Sequence, residues 1–212
     1  PPRSTLFPYT TLFRSAACMG VHFTPQNEIF IHAYENTQTR KNLQSGTVFS
    51  VNFAEDFYDY ALAALRQNKI GVIESKIPKS RYSSTKPIPL LASNWGSITC
   101  QVVDWDPMLT PVCKRVQAPN IRAKIVKKEI YRLPKYVNNR SFSLALEALI
   151  LTTRIPLYEP FSRDFHEAIQ TFKSIKKKLE AWRDMDRFDK SFQLMDNYLL
   201  EHGLKGQDVF DY

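Results

Sequence analysis

Two threonines and two cationic residues lie close together in residues 36–43, whose sequence is NTQTRKNL. If Thr37 begins a short helix, the first backbone N–H groups of that helix have no acceptors inside it, and the helix dipole adds partial positive charge. Hydroxyls, such amides and the planar fork of an arginine are groups that bind phosphate oxygens. Thr37, Thr39, Arg40 and Lys41 are therefore candidate phosphate ligands. The alternative is that Thr37 is an ordinary N-cap on a surface helix.

A second segment, residues 16–21 with the sequence AACMGV, has the composition of a strand that a flat ligand can approach. Its residues are small or apolar, and Gly20 has no side chain to cover the backbone. The N–H and C=O groups of such a strand can contact the polar edge of a ring system. The alternative is a closely packed strand without a ligand. Cys18 is accordingly either a redox thiol beside a ring or inert filling.

The elements that would hold these two segments read as a small β-barrel. We predict five strands, at residues 21–23, 28–34, 47–53, 97–105 and 121–133, from their apolar and β-branched residues and the turns between them. One helix at residues 55–67 interrupts the strands, which favours a barrel over a βαβ sheet. Residues 75–93 are predicted to form a surface loop, either a lid or an arm that contacts a partner, and residues 106–119 a proline-containing loop.

The C-terminal third is predicted to be helical. Residues 141–153 are apolar on most sides, and Pro156 ends that helix. Ser162 can cap a second helix, whose apolar stripe runs to Trp182. A third stripe runs from Phe188 to Leu199, and Gly203 is its expected C-cap. The fold class is therefore α+β, with a barrel domain at residues 16–135 and a helical region at residues 136–212.

The bulk composition is that of a globular protein, with no pattern for a membrane span, a disulfide framework or a zinc site. The chain has 212 residues, of which 43% are hydrophobic and 24% charged, and a net charge of +8, which favours anionic ligands. No apolar run is long enough to cross a membrane. The three cysteines, Cys18, Cys100 and Cys113, form no CxxC pair, and the four histidines have no zinc-site spacing. We expect a cytoplasmic protein with no disulfide framework, no bound metal and no membrane partner.

Residues 16–200 resemble a mainly archaeal family of flavin-reductase-like proteins with the FMN-binding split-barrel fold. The family pattern Pro-Met-Gly-Val is similar to Cys18-Met19-Gly20-Val21, and its Thr-x-x-Asn-Leu segment is similar to residues 39–43. The strand that follows ends in Val-Asn, as Val51-Asn52 does. The family's helical signature resembles Asn139-Arg140, Glu147 and Thr153-Arg154. The chain departs from the pattern at Cys18, where the family usually has Pro.

The resemblance implies FMN bound without a covalent bond at a homodimer interface. It implies that Thr37, Thr39 and Asn42 lie near the phosphate, and that Cys18, Met19 and Gly20 lie near the isoalloxazine ring. With the cations and the neighbouring positions added, the full set of predicted cofactor-binding residues is Cys18, Met19, Gly20, Val21, Thr37, Thr39, Arg40, Lys41, Asn42 and Asn52.

The N-terminal residues are expected to be foreign to the protein. Residues 5–15, TLFPYTTLFRS, read as the translation of a common sequencing-adapter oligonucleotide. We therefore expect residues 1–15 to be a non-native segment and the rest to be a fragment. The family resemblance places a further strand before residue 16, and we expect that native strand to be absent from this chain.

These observations predict a flavin-dependent oxidoreductase or electron-transfer protein that receives electrons from a nicotinamide or a deazaflavin, with no catalytic residue assigned. Two alternatives stay open. One is a non-enzymatic basic module that binds nucleic acid or another anion, although the Lys and Arg residues are scattered among Asp and Glu, which makes nucleic acid a poor candidate. The other is a flavin bound only for structure or sensing.

Overall fold

The computed structural model of the chain describes residues 4–10, 16–33, 37–65, 67–69, 72–74, 77–83, 88, 90–113, 116–134, 139–202 and 204. The chain divides into two compact units. The first comprises Pro1–Asp56 and Arg66–Lys135, and the second Phe57–Leu65 and Tyr136–Tyr212. The second unit thus includes residues that lie inside the predicted barrel domain in sequence. The predicted domain boundaries, at residues 15 and 135, stay a prediction.

The described strands all belong to the first unit. They are β1 (Ser4–Thr10), β2 (Met19–Phe23), β3 (Glu28–His32), β4 (Val48–Ala54), β5 (Gln67–Lys69), β6 (Val72–Glu74), β7 (Tyr82–Ser83), β8 (Leu90–Leu91), β9 (Asn94–Cys113) and β10 (Val116–Ile130). Six of them close an antiparallel barrel in the order β1-β2-β3-β10-β9-β4, while β5 pairs with β6 and β7 with β8. A short helix, α1 (Gln38–Asn42), connects β3 to β4. The predicted barrel is confirmed.

Alternating apolar residues of the strands fill the barrel. Val21 of β2 lies opposite Ile31 of β3, and Ile31 lies opposite Ile121 of β10. On the other side, Phe49 of β4 pairs with Cys100 of β9. All five residues are buried. Because successive side chains of a strand point to opposite faces, this alternation directs one face of each strand into a common core.

The prediction of a loop over residues 106–119 is wrong. The backbone continues as β9 to Cys113 and returns as β10 from Val116, with Leu109 opposite Pro119 and Pro111 opposite Gln117. The prolines suggested a loop because each removes a backbone donor. In a two-stranded ribbon, however, a proline is tolerated where its nitrogen faces the unpaired edge, because no hydrogen bond is needed there. The register of β9 and β10 also shifts next to Pro119.

The first strand lies in the segment that the sequence marks as foreign. Leu6 of β1 pairs with Met19 of β2, and Phe7 of β1 pairs with Asn52 of β4. A strand position that we expected to be absent is therefore filled by Ser4–Thr10. Ladder hydrogen bonds are made by the backbone, so this position accepts residues with little regard to their side chains. The non-native origin of residues 1–15 stays a prediction.

Part of the predicted loop at residues 75–93 is ordered by pairing and burial. It contains β7 and β8, and Ile77, Leu90 and Leu91 are buried. The Asp56 carboxylate bonds the Arg81 guanidinium at 3.0 Å, and Ala92 N–H donates to the Arg81 carbonyl at 2.8 Å. A lid or partner-contacting role for this segment stays a prediction.

The second unit is helical in its described residues. It contains α2 (Phe57–Ala64), α3 (Arg140–Arg154), α4 (Arg163–Ala181) and α5 (Met185–Glu201). The predicted cap at Ser162 is confirmed, since its hydroxyl accepts from Phe165 N–H at 3.2 Å. Pro156 lies in a short 3-10 helix, Ile155–Leu157, that follows α3. The predicted cap at Gly203 lies outside the described residues. None of these helices is both long and apolar enough to cross a membrane.

Aromatic rings form the core of the helical unit. The ring of Phe57 lies edge-on to Phe142 and to Phe188, with centroids 5.3 Å apart in both pairs. Tyr60 meets Phe142 in the same way at 5.5 Å. Edge-to-face contacts of this kind add to the stability obtained from burying the rings.

The helical unit also contains a buried ion pair between α4 and α5. Lys176 Nζ lies 2.9 Å from Asp196 Oδ2, and the two side chains are only 7% and 12% exposed. Burial raises the pKa of Asp196, an effect that the hydrogen bond and charge of Lys176 oppose. Within the described part of the chain, Asp196 Oδ1 has no hydrogen-bond partner. Asp196 therefore contacts Lys176 through Oδ2.

Candidate functional site

The predicted phosphate segment forms α1, and Thr37 is its N-cap. The Thr37 hydroxyl accepts from Arg40 N–H at 3.2 Å, and the Thr37 carbonyl accepts from Lys41 N–H at 3.2 Å. The N-cap alternative thus describes the local geometry of Thr37, and a contact of its hydroxyl with a ligand stays a prediction.

Three polar side chains of the α1 segment, including its N-cap, are buried. Thr37 is 4% exposed, Thr39 6% and Asn42 9%. Thr39 and Asn42 are three residues apart and so lie on one face of the helix. Arg40 is half-buried, and Lys41 is exposed. The helix therefore directs hydroxyl and amide groups inward and the charge of Lys41 outward.

The C-terminal end of α1 is held by two side chains. Gln44 Nε2 donates to the Lys41 carbonyl at 3.0 Å. Trp105 Nε1 of β9 donates to the carbonyl of Leu43, a residue that is fully buried, at 2.9 Å. The Arg40 guanidinium lies over the Trp105 ring, 5.3 Å from its centroid. No local sequence pattern connects Trp105 to this segment, because Trp105 and Leu43 are 62 residues apart.

The predicted ring-binding segment forms the start of β2. Met19 and Val21 are buried, Cys18 is half-buried and Gly20 is exposed. A Cβ atom placed on Gly20 would meet no heavy atom of the described residues within 4 Å. The backbone at Gly20 is therefore open on the side where a side chain would stand, which is a condition for the approach of a flat ring.

Strand β1 lies between the two predicted segments. Its Leu6 pairs with Met19, and α1 also contacts β1. The phosphate segment and the Gly20 strand therefore both adjoin β1 within the barrel unit.

Asn52 of β4 is fully buried in a polar network. Its Oδ1 accepts from Leu91 N–H at 3.3 Å and from Asn94 Nδ2 at 3.0 Å. Its Nδ2 donates to Ser50 Oγ at 3.0 Å. The amide of Asn52 therefore joins β4 to β8 and to the start of β9. Its predicted contact with a cofactor stays a prediction.

The charged residues of the helical motif that carried part of the resemblance are not buried. Arg140 and Glu147 are exposed and Arg154 is half-buried. Arg140 lies over the Trp182 ring, with its guanidinium carbon 4.9 Å from the centroid. In α3 these residues therefore lie on a face that is at least partly open to solvent.

More than half of the chain matches one protein family in sequence. Residues 9–132 match the N-terminal domain of DUF447, a family of proteins of unknown function. The chain belongs to this family. The predicted resemblance is thereby confirmed, while the archaeal origin stays a prediction. Among functionally curated proteins, none matches the sequence.

The fold is also that of a solved DUF447 protein. An FMN-bound DUF447 protein from Methanosarcina mazei matches 92% of this chain and 94% of its own, with 16% identity and a TM-score of 0.68. This match confirms the predicted α+β fold, an FMN-binding split barrel followed by helices. The flavin reductase HpaC, solved with NADP+, matches 62% of this chain and 80% of its own, with 14% identity and a TM-score of 0.45. An FMN-binding protein from Thermus thermophilus, solved with 1-cyclohex-2-enone, matches 62% of this chain and 72% of its own, with 8% identity and a TM-score of 0.44.

Proposed function

We propose that the barrel unit binds FMN, with the phosphate at α1 and the isoalloxazine ring beside Gly20. Two observations together carry this proposal. Polar side chains are buried on α1, which contacts β1, and the backbone of β2, which pairs with β1, is open at Gly20. Membership of DUF447 supports it, because a DUF447 protein with the same fold along most of its length contains FMN.

The residues present fit the two ends of FMN. Thr37, Thr39 and Asn42 supply hydroxyl and amide donors, and the half-buried Arg40 supplies charge that a dianionic phosphate favours, with the exposed Lys41 as a further predicted contact. At the other end, the open backbone of Gly20 leaves room for the ring, with Cys18, Met19, Val21 and Asn52 as the remaining predicted contacts. When bound, FMN would supply the hydride or electron chemistry, and the protein would supply its position and surroundings.

We further propose that the protein is a cytoplasmic flavin-dependent oxidoreductase or electron-transfer protein. In this proposal it is a homodimer with FMN at its interface, and a nicotinamide or a deazaflavin donates the electrons. Dimer formation is measured by light scattering after gel filtration, with and without FMN. Electron donation is measured as oxidation of each donor by the FMN-loaded protein. If no donor is oxidised, flavin binding for structure or sensing becomes the better interpretation.

Flavin binding itself is tested by titrating the full chain with FMN and with riboflavin, which lacks the phosphate. We expect FMN to bind more tightly than riboflavin, and Thr39→Ala to weaken FMN by roughly tenfold or more while riboflavin stays unchanged, since hydrogen bonds to charged groups contribute about 1.5–3 kcal/mol. Thr171→Ala is the matched control, because Thr171 is an exposed threonine of α4. If the wild-type chain binds neither flavin but slows the migration of nucleic acid in a gel, and this effect depends on salt, the basic-module alternative replaces this proposal.

A further inference from the structure

We propose that Trp105 is a positioning residue for the phosphate of FMN, acting through Arg40 and the C-terminal end of α1. This inference rests on the proposed function, because it concerns the same phosphate segment. It adds to the site a residue that comes from a distant strand, β9, and that need not touch the ligand.

The first argument is the shortness of α1. The helix has five residues, Gln38–Asn42, and a helix of that length does not hold its shape in water without tertiary contacts. Its orientation relative to the barrel must therefore come from side chains outside it. Trp105 is such a side chain and makes two separate contacts with the α1 segment, at Leu43 and at Arg40.

The hydrogen bond to Leu43 fixes where α1 ends. Leu43 is fully buried, so water is not a ready substitute for the indole N–H at its carbonyl. A buried carbonyl that loses its donor costs free energy, which is avoided only if the segment moves to find another partner. The bond of 2.9 Å between Trp105 Nε1 and the Leu43 carbonyl therefore ties the end of the phosphate segment to β9.

The contact with Arg40 restrains a long and flexible cation. An arginine side chain loses considerable rotamer freedom when it binds a ligand, and a residue that already holds it lowers that loss. The attraction between a cation and the face of a ring does not itself depend on an N–H donor. The guanidinium, 5.3 Å from the Trp105 centroid, is thus held near α1 in a way that is compatible with binding a phosphate oxygen pair.

The test compares FMN and riboflavin affinities of the full-length variants Trp105→Phe and Trp95→Phe. Phenylalanine at position 105 keeps an aromatic face but has no N–H. Trp95 is the matched control, because it is also a half-buried tryptophan of β9 and contacts Phe53, 5.0 Å between centroids. We expect Trp105→Phe to reduce the preference for FMN over riboflavin by about tenfold, with riboflavin affinity within about twofold of wild type. Trp95→Phe should leave that preference unchanged.

Two results overturn the inference: Trp105→Phe keeps the wild-type preference for FMN, or it weakens both flavins equally, which indicates a purely structural role. A double-mutant cycle between Arg40→Met and Trp105→Leu, which also removes the aromatic face under Arg40, adds an independent readout. If Trp105 acts through Arg40, the loss caused by Trp105→Leu becomes smaller in the Arg40→Met background, whereas additive losses contradict the coupling. Should Trp105→Phe fail to fold, Arg40→Met tests the step through Arg40, and an unchanged preference for FMN in that variant overturns the inference.

The wild-type titration separates this inference from the proposed function. If the wild-type chain binds neither flavin, the proposed function fails before any variant is measured. If it binds FMN more tightly than riboflavin and only the variants behave differently from expectation, the proposed function stands and the role of Trp105 fails.

Discussion

The buried ion pair of Lys176 and Asp196 predicts that removing Lys176 makes the stability of the helical unit depend on pH. Replacing Lys176 with methionine keeps most of the volume of the side chain and removes its charge. Asp196 is then left without the partner that lies 2.9 Å from its Oδ2, in a position where its side chain is 12% exposed. We expect Lys176→Met to be much more destabilising at pH 7 than at pH 4.

The magnitude follows from what Asp196 can do once Lys176 is gone. Breaking a buried ion pair typically costs about 3–5 kcal/mol. The loss cannot exceed the free energy needed to protonate the Asp196 carboxyl group, because a protonated group carries no buried charge. Protonation costs about 1.4 kcal/mol for each unit by which the pH exceeds the ordinary pKa of an aspartate, which is close to 4. The largest possible loss from the buried charge is therefore about 4 kcal/mol at pH 7 and close to zero at pH 4. We therefore expect a loss of about 2–4 kcal/mol at pH 7 and about 1 kcal/mol or less at pH 4.

The sign follows from the direction of the pKa shift. Burial raises the pKa of Asp196 in the folded protein, and removing Lys176 removes the influence that lowers it. The folded state of the variant then holds a proton that the unfolded state releases. Its stability is present below the ordinary pKa of an aspartate and is lost as the pH rises through the raised, folded-state pKa.

The assay is urea unfolding followed by far-ultraviolet circular dichroism, at pH 4 and pH 7, for wild type, Lys176→Met and the control Lys177→Met. Lys177 is the exposed neighbour on α4, so its variant should stay within about 0.5 kcal/mol of wild type at both pH values. The double variant Lys176→Met with Asp196→Leu should recover most of the lost stability, since it leaves no buried charge. Equal losses for Lys176→Met at both pH values, or no recovery in the double variant, would refute the reasoning.

Three further predictions concern the two cores and a cysteine. Phe188→Ala should lower the free energy of unfolding by about 3–5 kcal/mol, because it removes a fully buried ring that packs edge-on against Phe57; a loss under 1 kcal/mol by thermal or urea unfolding contradicts this. Asn52→Leu should cost about 3 kcal/mol in urea unfolding, because Leu91 N–H and the Asn94 amide both lose a buried acceptor, and a neutral result would show that this network adapts. Cys100, whose pKa burial raises to about 12, should resist alkylation by iodoacetamide at pH 8 until urea unfolds the protein, as followed by peptide mapping; rapid labelling in the native state is the opposing result.

Elements with local signals could be predicted from the sequence with small errors. The hairpin expected at residues 21–23 and 28–34 is formed by Met19–Phe23 and Glu28–His32. The cap at Ser162 was recognisable because capping depends on residues within three or four positions. Where the local signal was ambiguous, the prediction failed. Pro111 and Pro119 read as loop residues, although strand pairing between β9 and β10 accommodates them.

The candidate site shows the same division. The motifs around Gly20 and Asn42 were sufficient to indicate the family, whereas the phosphate site inferred from the hydroxyls and charges of α1 stays a prediction. The burial of Thr39 and the contact of Arg40 with Trp105 could not be predicted, because they depend on which strands become neighbours when the barrel closes.

The sequence by itself therefore determined the fold class, the family and the chemical types of the candidate ligands, since periodicity, capping and motifs act over a few residues. Only the tertiary structure shows that Trp105 bonds the end of the α1 segment, that Asn52 joins β4 to β8, and that Lys176 and Asp196 form a buried ion pair. Such contacts join residues that are 20 to 62 positions apart. Their partners are selected by the packing of the whole unit, and no short stretch of sequence encodes that packing.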